Sequence, residues 1–165
     1  PQALIAMHRR VKDERMLRQG LRTLQWLLDV QTDPLGHHLS LIGNDGWLPR
    51  GENKARFDQQ PIEVASLMEA CYEALLATGE HRWRVAMDQC FAWFLGRNDL
   101  HEMLYNFTTG GCFDGLHSTE VNQNQGAEST VCWLMALHCM HHVAHESVLT
   151  PNASRPLHQE NGSFC

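Results

Sequence analysis

The chain is 165 residues long, enough for one domain that buries roughly two-thirds of its unfolded surface. Hydrophobic residues make up 43% and charged residues 19%, the composition of a folded protein rather than of a chain disordered throughout. Thirteen Lys plus Arg against nineteen Asp plus Glu give a net charge of −6 with no basic run, which argues against nucleic acid as the main partner; no apolar stretch is long enough to span a bilayer. Six cysteines are too few for a disulfide scaffold. Cys71, Cys90, Cys132 and Cys139 lie in apolar periodic segments, which predicts buried thiols, a reducing compartment and a cytoplasmic location. Position 1 is Pro, no signal peptide opens the chain, and a helical pattern is already running at Ala3, as in a piece of a longer polypeptide.

In chain order, the first helix ends at the break Val11-Lys12-Asp13. The next carries the stripe Leu17, Leu21, Leu24 and Leu28. A long loop, Asp33–Gln59, follows; His37-His38 falls in it and is given no role. Pro61 suits the first turn of a third helix, whose stripe is Val64, Leu67, Met68, Cys71 and Leu75. After the break Thr78-Gly79-Glu80 comes a fourth helix, then a second long loop, Arg97–Gln125. Loops of this length in a compact domain carry function or short secondary structure of their own. A last helix covers Val131 to Val143 through Leu134 and Leu137. Residues 1–146 read as one helical domain and 147–165, rich in Pro, Asn, Ser and Gly, as a disordered tail.

The sequence repeats itself. Met7–Gln31 shifted by 67 residues falls on Ala74–Asn98, matching Arg15 to Arg82, Trp26 to Trp93, Leu28 to Leu95 and Asp13 to Glu80. Gln60-Pro61-Ile62-Glu63 shifted by 65 falls on Gln125-Gly126-Ala127-Glu128. Upstream, Asp45-Gly46-Trp47-Leu48 matches Asp114-Gly115-Leu116 less closely. The unit is a helical hairpin followed by a long loop ending in Gln-x-x-Glu. The fold expected is all-α, with hairpin repeats stacked as part of an α/α toroid.

In a toroid the loops before the inner helices meet at one rim. Asp58, Glu63, Asp114, Glu120 and Glu128 would gather there, with Trp47, Phe57, Tyr105 and Phe113 nearby. Aromatic faces stack on sugar rings, amides and carboxylates bind hydroxyls, and two carboxyl groups divide acid and base roles at a glycosidic bond. Asp58, Glu63, Asp114 and Glu128 are therefore the candidate catalytic groups. Trp47, Phe57, Gln60, Tyr105, Asn124 and Gln125 are the candidate substrate contacts.

Several spaced segments carry a resemblance. They are Leu41-Ile42-Gly43-Asn44-Asp45-Gly46-Trp47, Phe57-Asp58-Gln59-Gln60-Pro61-Ile62-Glu63 and Trp93-Phe94-Leu95-Gly96-Arg97-Asn98-Asp99. Thr109-Gly110-Gly111-Cys112-Phe113-Asp114-Gly115-Leu116 and Asn122-Gln123-Asn124-Gln125-Gly126-Ala127-Glu128-Ser129-Thr130 complete the set. Over Ala3 to His145 the chain resembles the C-terminal helical region of bacterial glycosyltransferase-type proteins, where it follows a nucleotide-sugar transferase module. That region is similar to the six-hairpin glycosidase superfamily. The resemblance implies a glycan or sugar substrate in a central cavity and an N-terminal transferase module as partner, or else a non-catalytic module that docks or supports the transferase half. It also implies more hairpins than this chain holds.

Plainer roles compete at each position. Glu63 and Glu128 fall at the third position of their helices, where a carboxylate binds a free backbone N–H and complements the dipole by about 0.3–1 kcal/mol. Asp58 can cap the turn before Pro61, and Asp114-Gly115 is a common turn pair. Trp26 and Trp93 are expected in packing positions. His138, His141, His142 and His145 have a spacing able to bind Zn²⁺, but no Cys or carboxylate signature accompanies them, His158 adds only a stray, and no metal is assigned. The chain has no Gly-x-Ser-x-Gly and no Gly-x-x-x-x-Gly-Lys, so neither a serine nucleophile nor a nucleotide cofactor is expected.

Overall fold

The structure, a computed structural model, describes residues 1–35 and 38–149, with side chains through His145. His37, His158 and the expected tail beyond Leu149 lie outside the described residues. Five helices account for most of what is described: α1 (Gln2–Val11), α2 (Glu14–Val30), α3 (Pro61–Thr78), α4 (His81–Phe94) and α5 (Ala127–Leu149). Two short strands, β1 (Gly115–Leu116) and β2 (Val121–Asn122), pair antiparallel, Gly115 opposite Asn122 and Leu116 opposite Val121. The class is all-α. No helix among the described residues is long and apolar enough to cross a membrane.

The two links between consecutive helices have the same backbone design. Lys12 ends α1 at φ 58° with its N–H on the His8 carbonyl, and Gly79 ends α3 at φ 67° with its N–H on the Leu75 carbonyl. A left-handed residue at this place satisfies a carbonyl of the last turn, and Gly does so without a side-chain clash. The next residues, Asp13 and Glu80, are extended and start α2 and α4. Asp13 caps α2 by accepting the Arg15 N–H at 2.8 Å, whereas Glu80 instead pairs with the Arg82 guanidinium at 2.7 Å. Caps and N-caps therefore both recur at the 67-residue spacing seen in the sequence.

Packing explains the composition of each helix. α3 lies against α1, α2, α4 and α5, so it is apolar almost all round, with Val64, Leu67, Met68, Cys71 and Ala74 buried. α2 is amphipathic and buries Gly20, Leu24 and Leu28. The core is completed by Ile5, Trp83, Met87, Trp93, Phe94, Leu104 and Leu116. Trp26 departs from its expected packing role: it is 52% exposed, because α2 is covered by α1 and α3 on one side only. Its counterpart Trp93 is fully buried, its indole N–H donating to Gln59 Oε1 at 3.1 Å.

Two buried amides, also 67 residues apart, hold the start of each long loop. Gln31 Oε1 accepts the Ile42 N–H at 3.2 Å. Asn98 Oδ1 accepts the N–H groups of Leu100 and Glu102, while its Nδ2 donates to the carbonyls of Trp93 and Glu102. Buried polar side chains of this kind fix loops because their bonds cannot be traded for water.

Candidate functional site

The loop before α3 is folded back on itself. Gly43 N–H donates to the Ala55 carbonyl, Asn44 N–H to the Asp58 carbonyl, Asp45 N–H to the Phe57 carbonyl and Ala55 N–H to the Trp47 carbonyl. The strands of this loop approach so closely that a Cβ on Gly43 would stand 2.1 Å from the Phe57 carbonyl oxygen. The Phe57–Asp58 peptide is cis. Trp47 sits at the turn with φ 57° and is 63% exposed; Phe57 is half-buried against the core with Arg56 over its ring.

The same segment is pinned to the second long loop. Gln59 and Leu116 exchange both backbone hydrogen bonds, at 3.1 and 2.9 Å, which joins the residues before α3 to β1. This brings Asp58 beside His117, whose Nδ1 is 3.6 Å from Asp58 Oδ1. That oxygen is sealed from solvent and has no hydrogen-bond partner, although the side chain as a whole is 26% exposed. Glu63, the third residue of α3, accepts the Gln60 N–H through Oε2 at 3.2 Å. Burial pushes its carboxyl up to about 7; the Gln60 N–H opposes this and the negative charge of Asp58 reinforces it. Glu63 thus makes the expected capping contact and, in addition, feels the charge of Asp58.

Asp114 occupies a different kind of position. Gly126 N–H donates to its Oδ1 at 2.8 Å, Asn124 Nδ2 donates to Oδ2, and the Ser129 hydroxyl bonds it as well. Desolvation would raise its carboxyl, but the Ser129, Asn124 and Gly126 donors outweigh it and hold the group below the usual carboxylate range. Asp114 therefore ties the second loop to the head of α5, and Asn124 is engaged there with it. Gln125 Oε1 accepts the Thr109 hydroxyl from the turn earlier in the same loop. Glu128 is exposed and is the second residue of α5 rather than the third, since the helix starts at Ala127. Glu120 is exposed after β1. Gln60 is the N-cap of α3. Tyr105 and Phe113 pack against the core, Tyr105 stacked on Trp133 with centroids 4.5 Å apart.

A third cluster was not singled out by residue pattern. The Asp99 carboxylate is 2% exposed and gathers the Ser40 hydroxyl at 2.7 Å, Arg56 Nη2 at 2.9 Å, His38 Nε2 at 3.1 Å and the Gln59 amide. Burial alone would raise its carboxyl; the bonds from Ser40, Arg56, His38 and Gln59 prevail and bring it to about 2. Lys54 Nζ reaches the carbonyls of Val30 and Ser40 alongside. Gln59 connects this cluster to Trp93 on one side and, through its backbone, to Leu116 on the other. Asp99 and Gln59 both lie within segments of the resemblance, which was the available signal. His38 had none.

The described thiols are buried rather than activated. Burial, with Cys132 and the Asp114 carboxylate, pushes Cys112 up to about 12, and a hydrogen bond with Cys71 together with burial raises Cys90 well above the ordinary thiol range. Cys71, Cys90, Cys112, Cys132 and Cys139 are all buried and free. Among the described residues no group of three or more His, Cys, Asp and Glu could hold a metal ion.

Comparison of the chain with family models, curated proteins and solved structures finds no match.

Proposed function

We propose that this chain is the helical, carbohydrate-active region of a glycosyltransferase-like protein, its helix pairs forming part of an α/α toroid that takes a glycan at the rim beside α3. The observation that carries the reading is the Asp58–Glu63 pair: one carboxylate has a water-sealed oxygen and a His neighbour, and burial pushes the other up to about 7, with the charge of Asp58 adding to it. A carboxyl raised toward neutral pH with a second carboxyl nearby is the combination that acid and base work at a glycosidic bond uses. Glu63 would donate the proton and Asp58 would act as the charged partner. Trp47, exposed on the loop that bonds to Phe57 and Asp58, offers an aromatic face for a sugar ring. The transferase module of the resemblance would be the covalent partner of this region.

A glycan array and a hydrolysis screen on the longest natural form, run beside an Asp58→Asn, Glu63→Gln double variant shown to be folded, test the proposal. Binding or cleavage that disappears in the variant supports it. Equal binding by the two proteins overturns it.

A second reading has its own observation. The carboxylate of Asp114 is filled by three donors at the head of α5, as in a part whose work is to hold loops in place. A scaffold or docking module for the transferase half predicts no glycan binding and tolerance of substitution at Asp58 and Glu63.

A further inference from the structure

The cluster of histidines on α5 stands apart from the rim carboxylates. His138 and His142 are one helical turn apart, and their Nε2 atoms lie 3.1 Å from each other with ring centroids at 4.4 Å and planes at 84°. Both rings are exposed. At this distance the Nε2–H of one imidazole can donate to the bare Nε2 of the other, which ring donates depending on the tautomer.

We propose that His138 and His142 form a two-nitrogen chelate for a divalent transition-metal ion of the Zn²⁺, Ni²⁺ and Cu²⁺ class. Imidazole nitrogen bonds these ions at about 2.0–2.1 Å. Two such bonds closing on nitrogens 3.1 Å apart subtend an angle of about 98° at the metal, between the right angle of square or octahedral coordination and the tetrahedral value. The spacing therefore suits a shared ion with little change in the separation of the two nitrogens. On binding, the neutral donor ring gives its Nε2 proton to water and takes one from water at Nδ1, so both rings present a bare Nε2 with no net change in protons or electrons. No third protein ligand joins the two among the described residues. His141 and His145 do not make a second site of this kind, since their ring centroids are 6.3 Å apart and the planes only 30° from parallel.

Bound metal would staple successive turns of α5, because the ligands belong to adjacent turns and only the helical form presents both. The full chain without a polyhistidine tag, titrated calorimetrically with Ni²⁺ and separately with Zn²⁺, tests this, with Mg²⁺ as the hard-cation control. The expected result is one ion per chain and no Mg²⁺ binding. Affinity should fall by about 100-fold in His138→Ala and in His142→Ala, through loss of the second tethered ligand, and stay unchanged in His141→Ala. Amide exchange over residues 138–142 should slow with the metal in wild type and not in the variants. These positions are exposed, so the variants keep the fold. No binding heat in wild type, or equal affinity in His142→Ala, overturns the proposal.

Discussion

Replacing Glu63 by Gln removes a titration without removing the side-chain oxygen that accepts the Gln60 N–H. In the folded chain burial and the Asp58 charge hold the Glu63 carboxyl at about 7, against 4.5 for the free group. Below pH 4.5 the group is protonated in both the folded and the unfolded chain, and its contribution is fully present. Between 4.5 and 7 the folded chain keeps a proton that the unfolded chain has released, so the contribution declines; above 7 it is gone. At ~1.36 kcal/mol per pH unit the full difference of 2.5 units would be about 3.4 kcal/mol. Glu63 is only half-buried, and solvent screening reduces this to about 1–2 kcal/mol. With a urea dependence of about 2 kcal/mol per molar, that is a midpoint displacement of about 0.5–1 M. The assay is urea unfolding of both proteins at pH 5, 6, 7 and 8. Wild type should lose stability relative to Glu63→Gln across this range, the histidine titrations common to both cancelling in the difference. Parallel curves, or a wild type that gains with pH, would refute the reasoning.

Three further perturbations address the framework around the site. Gly43→Ala puts a methyl 2.1–2.4 Å from the Phe57 backbone, so the loop must open; a cost of about 1–3 kcal/mol and a Tm lower by about 3–10 °C are expected in a thermal melt. Trp93→Phe keeps most of the buried ring but leaves Gln59 Oε1 without its donor, which should cost about 1–3 kcal/mol by urea unfolding. Asp99→Asn removes the charge that Arg56 and His38 face in a buried place and should cost about 2–3 kcal/mol at pH 7. Because the Asp99 carboxyl sits at about 2 rather than 3.8, its contribution is present above pH 3.8 and is lost as pH falls through 2, so the wild type and Asp99→Asn curves should converge on acidification.

Local features were the most legible part of the sequence. The breaks at Lys12-Asp13 and Gly79-Glu80, the first-turn Pro61 and the apolar stripes of α2 and α3 depend on residues close in the chain, and each stands where the periodicity put it. The 67-residue spacing carried further than the helices, since it also pairs Gln31 with Asn98, two buried amides with one task. What the pattern did not carry was partnership across the fold. Trp26 and Trp93 have equivalent sequence places, yet Trp93 is fully buried and Trp26 is half-exposed. His38, Ser40, Arg56, Gln59 and Asp99 come from separate segments, and their meeting depends on how the first long loop folds over the start of the second. His117 was likewise not singled out because its neighbour Asp58 is brought to it by the Gln59–Leu116 pairing. Asp114 was legible as polar and near a turn; that three donors at the head of α5 fill it required the structure.

The most direct test of the central claim is a carbon-detected NMR titration of the Glu63 carboxyl, alone and with the oligosaccharide that binds best on the array. The account predicts a midpoint near 7 in the free protein, set by burial and Asp58, and a displaced midpoint when sugar occupies the rim. A midpoint near 4.5, or one that saturating sugar leaves in place, would contradict it.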